Sequence, residues 1–248
     1  MKCLVAIKRV LDPHANVIIK ADHSGVMLDE KQMVMDPFNQ IAIEEGVRLK
    51  ENNTINELVA ISIGDIKCIE TLKQALAYGA DRAVLVETNN NLTPLNVAKI
   101  LQIIAYKENP GLIITGKQSV DADCNQTGQM LAAKLNWSQG TCVSSIKMEK
   151  DKEFIQVVRE TDNGMETLRL KLPSIITVDL RLNEPRYISL YNLMQAKNKQ
   201  INIILLDTLN VQLNQNVNVV RVDPIRQNRK KVKLTNINEL SKILGIIV

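Results

Sequence analysis

Apolar runs of strand length alternate with helical patterns through the first two-thirds of the chain. Residues 2–8 (Lys2-Cys3-Leu4-Val5-Ala6-Ile7-Lys8) read as a strand, and 17–19 with 25–28 as a short hairpin excursion. Asp36 and Pro37 then open a helix that runs through Phe38, Ile41, Ala42, Glu45, Val47 and Leu49. Pro suits the first helical position, and the Asp before it accepts orphan amide protons as N-cap. Strands are expected at 58–62, 83–86 and 112–115, and helices at 67–78, 94–108 and 125–135. Gly64, Gly79 and Asn109-Pro110-Gly111 supply the stops. This rhythm predicts an α/β fold with a three-layer, mainly parallel sheet.

The pattern changes after residue 140. Strands at 143–148, 154–160 and 165–170 are joined by short turns, one of them Asp162-Asn163-Gly164, and 174–178 is a further apolar strand. These are the late antiparallel strands of the expected fold. Beyond Asp179 the chain becomes irregular and asparagine-rich, with a helix expected at 190–199, a strand at 203–206 and a last helix at 236–244. The division that follows is an α/β domain over 1–180 and an extension over 181–248 that packs on something else.

Composition narrows the picture. Aromatics make up only 3% of the chain, so the core rests on Ile, Leu and Val, as buried parallel strands require. No apolar run approaches the roughly 20 residues that cross a bilayer. The first residues are too short and too charged for a signal peptide, so a soluble protein is expected, of a bacterial cytoplasm or, as a mature chain, of the mitochondrial matrix. Cys3, Cys68, Cys124 and Cys142 are widely spaced and read as reduced thiols. With His14 and His23 the only histidines, metal centres and histidine-dependent triads are disfavoured. Charge is uneven: from Arg181 onward there are 11 Lys/Arg against 4 Asp/Glu.

The strongest local feature follows the strand at 112–115. It runs Gly116-Lys117-Gln118-Ser119-Val120-Asp121-Ala122-Asp123-Cys124-Asn125-Gln126-Thr127-Gly128-Gln129-Met130. A long polar loop here leaves the carboxyl end of a strand and enters a helix, the edge at which open α/β sheets bind ligands. The helix start offers unpaired N–H groups to phosphate, with Gln126 and Thr127 in its first turn. Asp121 and Asp123 would repel phosphate and are assigned to capping the helix or holding the loop. The residues alone leave two readings open, a phosphate-binding loop and an Asx-rich capping loop without ligand. Neither GxxxxGK[ST] nor GxGxxG is present, and no nucleophile, base and oxyanion donor converge. A nucleotide-binding protein without evident catalytic residues is the expectation; a stand-alone nucleotide-binding module and an ATP-using enzyme on the same sheet are the alternatives.

The stretch Asp121–Met130 resembles the nucleotide loop of electron transfer flavoprotein beta subunits. Further segments are similar in the same order: Val5-Ala6-Ile7-Lys8-Arg9-Val10, the run from Asp36 to Glu45, Gly79-Ala80-Asp81-Arg82, the run from Val157 to Thr177, and Asp179-Leu180-Arg181-Leu182-Asn183-Glu184-Pro185-Arg186-Tyr187. The resemblance covers roughly residues 1–205 and fades in the tail. It implies a Rossmann-like sheet of the adenine-nucleotide-binding type. It also implies a heterodimer whose alpha subunit holds most of the FAD, and a structural AMP on the beta subunit. Electrons would come from acyl-CoA and related dehydrogenases and pass to a membrane quinone oxidoreductase.

Carried over residue by residue, the implied AMP contacts are Ala6, Asp36, Pro37, Phe38, Asn39 and Ile63. To these the loop and helix add Asp123, Cys124, Asn125, Gln126, Thr127, Gly128, Gln129, Met130, Leu131, Ala132, Ala133 and Lys134. Asp36 stands where the family commonly has Asn, and is expected to cap the helix and face away from phosphate. Ile63 replaces a small or sulfur residue. A bifurcating branch of the family binds a second FAD in place of AMP; the Asp-Ala-Asp-Cys-Asn-Gln-Thr-Gly loop resembles the AMP type. Residues 187–200 are similar to the family's partner-recognition loop. Leu190 and Leu193 are its candidate anchors, beside Lys197 and Lys199.

Overall fold

The computed structural model describes residues 1–214, 217–224, 234 and 236–245. Its elements are β1 (Lys2–Ile7), β2 (Arg9–Leu11), β3 (Met33–Met35), α1 (Pro37–Glu51), β4 (Glu57–Gly64), α2 (Ile69–Tyr78), β5 (Arg82–Glu87), α3 (Pro94–Glu108), β6 (Leu112–Gly116), α4 (Thr127–Leu135), β7 (Ser138–Met148), β8 (Phe154–Thr161), β9 (Gly164–Lys171), β10 (Ser174–Val178), α5 (Leu190–Ala196), β11 (Ile201–Leu205) and α6 (Ile237–Leu244). Two compact units result, one of residues 1–16 with 28–218 and one of 17–27 with 219–248.

The first unit is a nine-stranded sheet in the order β11-β5-β4-β1-β6-β10-β7-β8-β9. From β11 to the start of β7 every neighbour is parallel, and β7-β8-β9 is antiparallel. Side chains alternate faces at period two. In β1, Cys3, Val5 and Ile7 pack with α1 and α2, whereas Leu4 packs with α3 and α4. Helices thus cover both faces, and the expected three-layer α/β fold is the one observed.

Local chemistry explains the boundaries. Asp36 caps α1, its Oδ1 accepting the Phe38 N–H at 2.9 Å, with Pro37 at the first helical position. Thr93 does the same for α3 ahead of Pro94. Gly79 takes φ 139° at the end of α2, a conformation glycine adopts freely.

Several expectations are corrected. The strand expected at 143–148 is the second half of β7. Its polar first half, Ser138-Gln139-Gly140-Thr141, pairs with β10, and a register shift around Cys142, at φ 56°, separates the two halves. The helix expected to start at 125 starts at Thr127, because Asn125 is left-handed at φ 48°. The helix expected at 190–199 ends at Ala196, and the strand expected at 203–206 is Ile201–Leu205. The antiparallel pair β2-β3 was not foreseen.

In the second unit the expected hairpin reduces to one bridge, Ile19 with Val26. His23 Nδ1 lies 2.9 Å from the Val222 carbonyl oxygen and 3.0 Å from Asp223 Oδ1. The last helix forms as α6, where Asn236 Oδ1 accepts the Glu239 N–H at 3.0 Å. Among the described residues no helix is long and apolar enough to cross a membrane.

Candidate functional site: a cleft at the sheet switch point

The chain moves outward from β1 through β4 to β5, then returns to place β6 on the other side of β1. Such a reversal splays the loops on either side and opens a crevice at the carboxyl ends of the strands. A cleft of about 310 Å³ lies there. That is the lower end of the roughly 300–1,000 Å³ range of small-molecule sites.

One side of the cleft is apolar: Ile61 and Ile63 from β4, Leu92 before α3, and Val97 and Leu101 from α3. The other is polar: Lys8 just past β1, Ser119 and Asp121 from the loop, and Asn125, Gln126 and Thr127 at the start of α4. Ala6 and Asn39 also line it, as do Asn90 and Asn91.

Asp36 organises this edge. It is wholly buried, and its second carboxylate oxygen accepts the Val120 N–H at 2.8 Å. One side chain thereby caps α1 and ties the 117–126 loop to it. Burial pushes the Asp36 carboxyl up, and the amide bonds from Val120 and Phe38 oppose that rise without cancelling it. Beside it, Asn39 Oδ1 accepts the Lys8 N–H at 2.7 Å. At the end of β6 the approach is so close that a Cβ on Gly116 would lie 2.6 Å from Phe38 Cβ.

The loop is held by its own acids. Lys8 Nζ donates to Asp121 Oδ1 at 2.7 Å and to Ser119 Oγ at 3.2 Å. Burial would raise Asp121, but the bonds from Lys8 and Ser119 outweigh it and hold the carboxylate below its ordinary range. Asp123, at φ 50°, accepts from Gln118 Nε2. Both aspartates brace the loop, and neither caps α4. Gln126 occupies the N-cap position without a side-chain bond, which corrects its expected place in the first turn. The first-turn amides of α4 therefore keep their orphan donors and the positive end of the helix dipole. Gly128 sits where that turn crosses β10; a Cβ there would overlap Thr177 Cγ2.

Of the residues carried over from the resemblance, Ala6, Asn39, Ile63, Cys124, Asn125, Gln126 and Thr127 line the cleft. Asp36, Pro37, Phe38 and Asp123 do not line it: the first three cap and open α1, with Asp36 tied to the loop at Val120, and Asp123 braces the loop. Gly128, Gln129, Met130, Leu131, Ala132, Ala133 and Lys134 continue along α4, with Leu131 and Ala132 in the core. Lys8, Asn90, Asn91, Leu92 and Val97 were missed. Each belongs to, or just follows, a loop at the carboxyl end of a strand, and that shared edge was the available signal.

The candidate recognition segment is separate from the cleft. Ser189 Oγ caps α5 through the Asn192 N–H. Leu190 is 73% exposed and Leu193 40%, with Tyr187, Tyr191 and Met194 open beside them. Lys197 is exposed. Lys199 is committed elsewhere: its Nζ donates to the Leu76 and Ala80 carbonyl oxygens at 2.9 and 2.7 Å, closing the C-terminal end of α2.

Fold and site together define a doubly wound α/β protein with a ligand-sized cleft at its switch point. A family model described as an electron transfer flavoprotein domain matches residues 24–208. The chain is 47% identical over 244 residues to the electron transfer flavoprotein subunit beta of Bos taurus, covering 97% of this chain and 95% of that one. It is 46% identical over 240 residues to the mitochondrial beta subunit of Arabidopsis thaliana (97% and 96%) and over 244 residues to the beta subunit of Homo sapiens (97% and 95%). The chain belongs to the electron transfer flavoprotein family, and the three relatives named above are beta subunits. Electron transport as part of a flavoprotein follows from that membership.

Proposed function

We propose that this chain is the beta subunit of a heterodimer in which an alpha subunit holds most of the FAD, and that its cleft carries a structural AMP. The observation that carries the AMP reading is the uncapped start of α4 facing a cleft with one apolar and one polar side. The base fits against Ile63, Leu92 and Val97. The phosphate fits against the first-turn amides of α4, with Lys8 close by. The small volume favours a mononucleotide over a second FAD.

FAD supplies the redox chemistry when bound. This chain's residues supply position and electrostatics, and none acts as a catalytic group. Electrons arrive from acyl-CoA and related dehydrogenases, as in fatty acid beta-oxidation, and leave to a membrane quinone oxidoreductase. Leu190 and Leu193, with Lys197, are the docking residues of the exposed α5 segment. Residues 181–248 form the partner-facing part of the chain, which includes packing on the alpha subunit. The compartment is a bacterial cytoplasm or the mitochondrial matrix.

The test is co-expression with a candidate alpha subunit, followed by a visible spectrum and mass identification of the nucleotides released on denaturation. One FAD and one AMP per heterodimer supports the reading. Two FAD without AMP replaces the structural AMP by a second flavin. A stable lone chain with no flavin overturns it.

A further inference from the structure

The stretch that leads into the exposed α5 segment is fastened to the outer side of α1 at three successive points. Asn183 Nδ2 donates to the Ile41 carbonyl oxygen at 3.2 Å and to Glu45 Oε2 at 3.0 Å. Arg48 Nη2 donates to the Glu184 carbonyl oxygen at 2.9 Å. Arg186 grips Glu44 through Nε at 2.8 Å and Glu51 through Nη1 at 2.6 Å.

The two adjacent glutamates are treated differently. Glu44 is buried but receives both Arg48 and Arg186. Burial would raise it, and the two guanidinium groups more than offset that and hold it ionised. Glu45 is also buried, and the hydrogen bond shown for its carboxyl comes from an uncharged amide. The groups facing it are Glu44 and Arg48 on its own helix, the buried Cys3 thiol of β1 and the Asn183 amide. Arg48 lowers Glu45 through its charge, but its hydrogen bonds go to Glu44 and the Glu184 carbonyl, and those of Arg186 go to Glu44 and Glu51.

Asn183 carries an unmatched polar atom. The Ile41 carbonyl fixes which end of the amide is the NH2 group, since the opposite orientation would set oxygen against oxygen. Its Oδ1 is then a buried acceptor without a partner. An orphan acceptor of this kind destabilises the fold unless a donor is supplied. A proton on Glu45 Oε1 supplies it.

We propose that Glu45 is carried as the neutral carboxylic acid, paired with the Asn183 carboxamide, and that this pair positions the entry to the 187–196 segment. The acid donates O–H to Asn183 Oδ1 and accepts N–H from Nδ2, so every polar atom between the two groups is matched without a buried charge. Burial raises the Glu45 carboxyl; the Asn183 amide and the nearby Arg48 oppose that rise without cancelling it, and the Glu44 carboxylate adds to it. The positioning half rests on the docking role proposed for 187–196; the protonation half stands without it.

The test uses the full heterodimer. Infrared difference spectra of the wild type against Glu45→Gln are expected to show the C=O band of a protonated carboxyl at neutral pH. A carboxylate band in its place overturns protonation. Because the folded state holds the proton, stability falls as pH rises through the folded pKa of Glu45, and Glu45→Gln removes that slope.

Kinetics test the positioning half. Gln reproduces both hydrogen bonds, so Glu45→Gln keeps KM for a reducing dehydrogenase within twofold. Asn183→Ala raises KM about fivefold or more with kcat unchanged. A KM for Asn183→Ala equal to the wild type, while Leu190→Ala raises it, overturns positioning alone. A KM unmoved by Leu190→Ala and Leu193→Ala as well shows that the docking reading itself has failed.

Discussion

Lys8 and Asp121 meet across the mouth of the cleft, Nζ to Oδ1 at 2.7 Å, from positions 113 residues apart in sequence. The pair offsets the negative charge of Asp121 at the cleft.

Replacing Lys8 by Met is expected to weaken nucleotide binding about tenfold or more, since Asp121 then lacks its ammonium partner beside the proposed phosphate position. Adding Asp121→Asn recovers most of the loss. Calorimetry with AMP on the nucleotide-stripped protein checks both. Equal affinities for the single and double variants would show that the charge on Asp121 is not what matters.

Asp36→Ala removes two amide acceptors from a fully buried position, one capping α1 and one holding the loop. The expected cost is about 2–4 kcal/mol in denaturant unfolding. AMP retention should fall with it, because the loop loses its tie to α1.

Gly128→Ala drives a methyl into Thr177 and is expected to destabilise by about 1–3 kcal/mol. Thr177→Ser deletes the obstructing Cγ2 and keeps the hydroxyl that accepts the Cys142 N–H. The double variant should recover most of the loss, as a double-mutant cycle will show.

Glu108 sits between Arg82 and Lys2, and the bonds from Arg82 chiefly hold its carboxyl down to about 2 from an ordinary 4.5. A depressed carboxyl stabilises the fold fully above 4.5, and that contribution is lost as pH falls toward 2. It is on the order of 2 kcal/mol after solvent screening. Glu108→Gln should lower stability at pH 7 by about that amount and flatten the acid limb of the stability curve. An acid limb unchanged from the wild type would refute the assignment.

Leu190→Ala and Leu193→Ala should slow reduction by a dehydrogenase while assembly and thermal stability stay at wild-type values. Lys199→Met should do the reverse, lowering stability by about 1 kcal/mol with docking intact, because its ammonium serves the carbonyl end of α2.

The βα core was legible because its elements carry their own signals: Asp36-Pro37 at a helix start, Gly79 at a helix end, and Ile and Val runs in the strands. The first half of β7 was not, since Ser138-Gln139-Gly140-Thr141 is polar and owes its strand form to pairing with β10. The start of α4 was misplaced for a similar reason: helix-compatible polar residues do not reveal that Asn125 is left-handed. The loop from Gly116 to Met130 pointed to the cleft, whereas Asn90, Leu92 and Val97 enter it through the order of strands, which no local pattern encodes. The exposure of Leu190 and Leu193 was likewise unreadable, because an amphipathic stretch does not say which neighbour covers it.

The α5 segment is fastened at both ends. Asn183, Glu184 and Arg186 hold its entry to α1, and Lys199 with β11 holds its exit to α2 and the sheet edge. In the proposed docking role, a side chain displayed on such a bracket would act as a rigid key. It loses little freedom on engagement and adapts little to the lock. Under the proposed docking role, selectivity among electron donors would be written into the donors' own pockets, and one unchanging key would serve as many of them as have kept the matching recess.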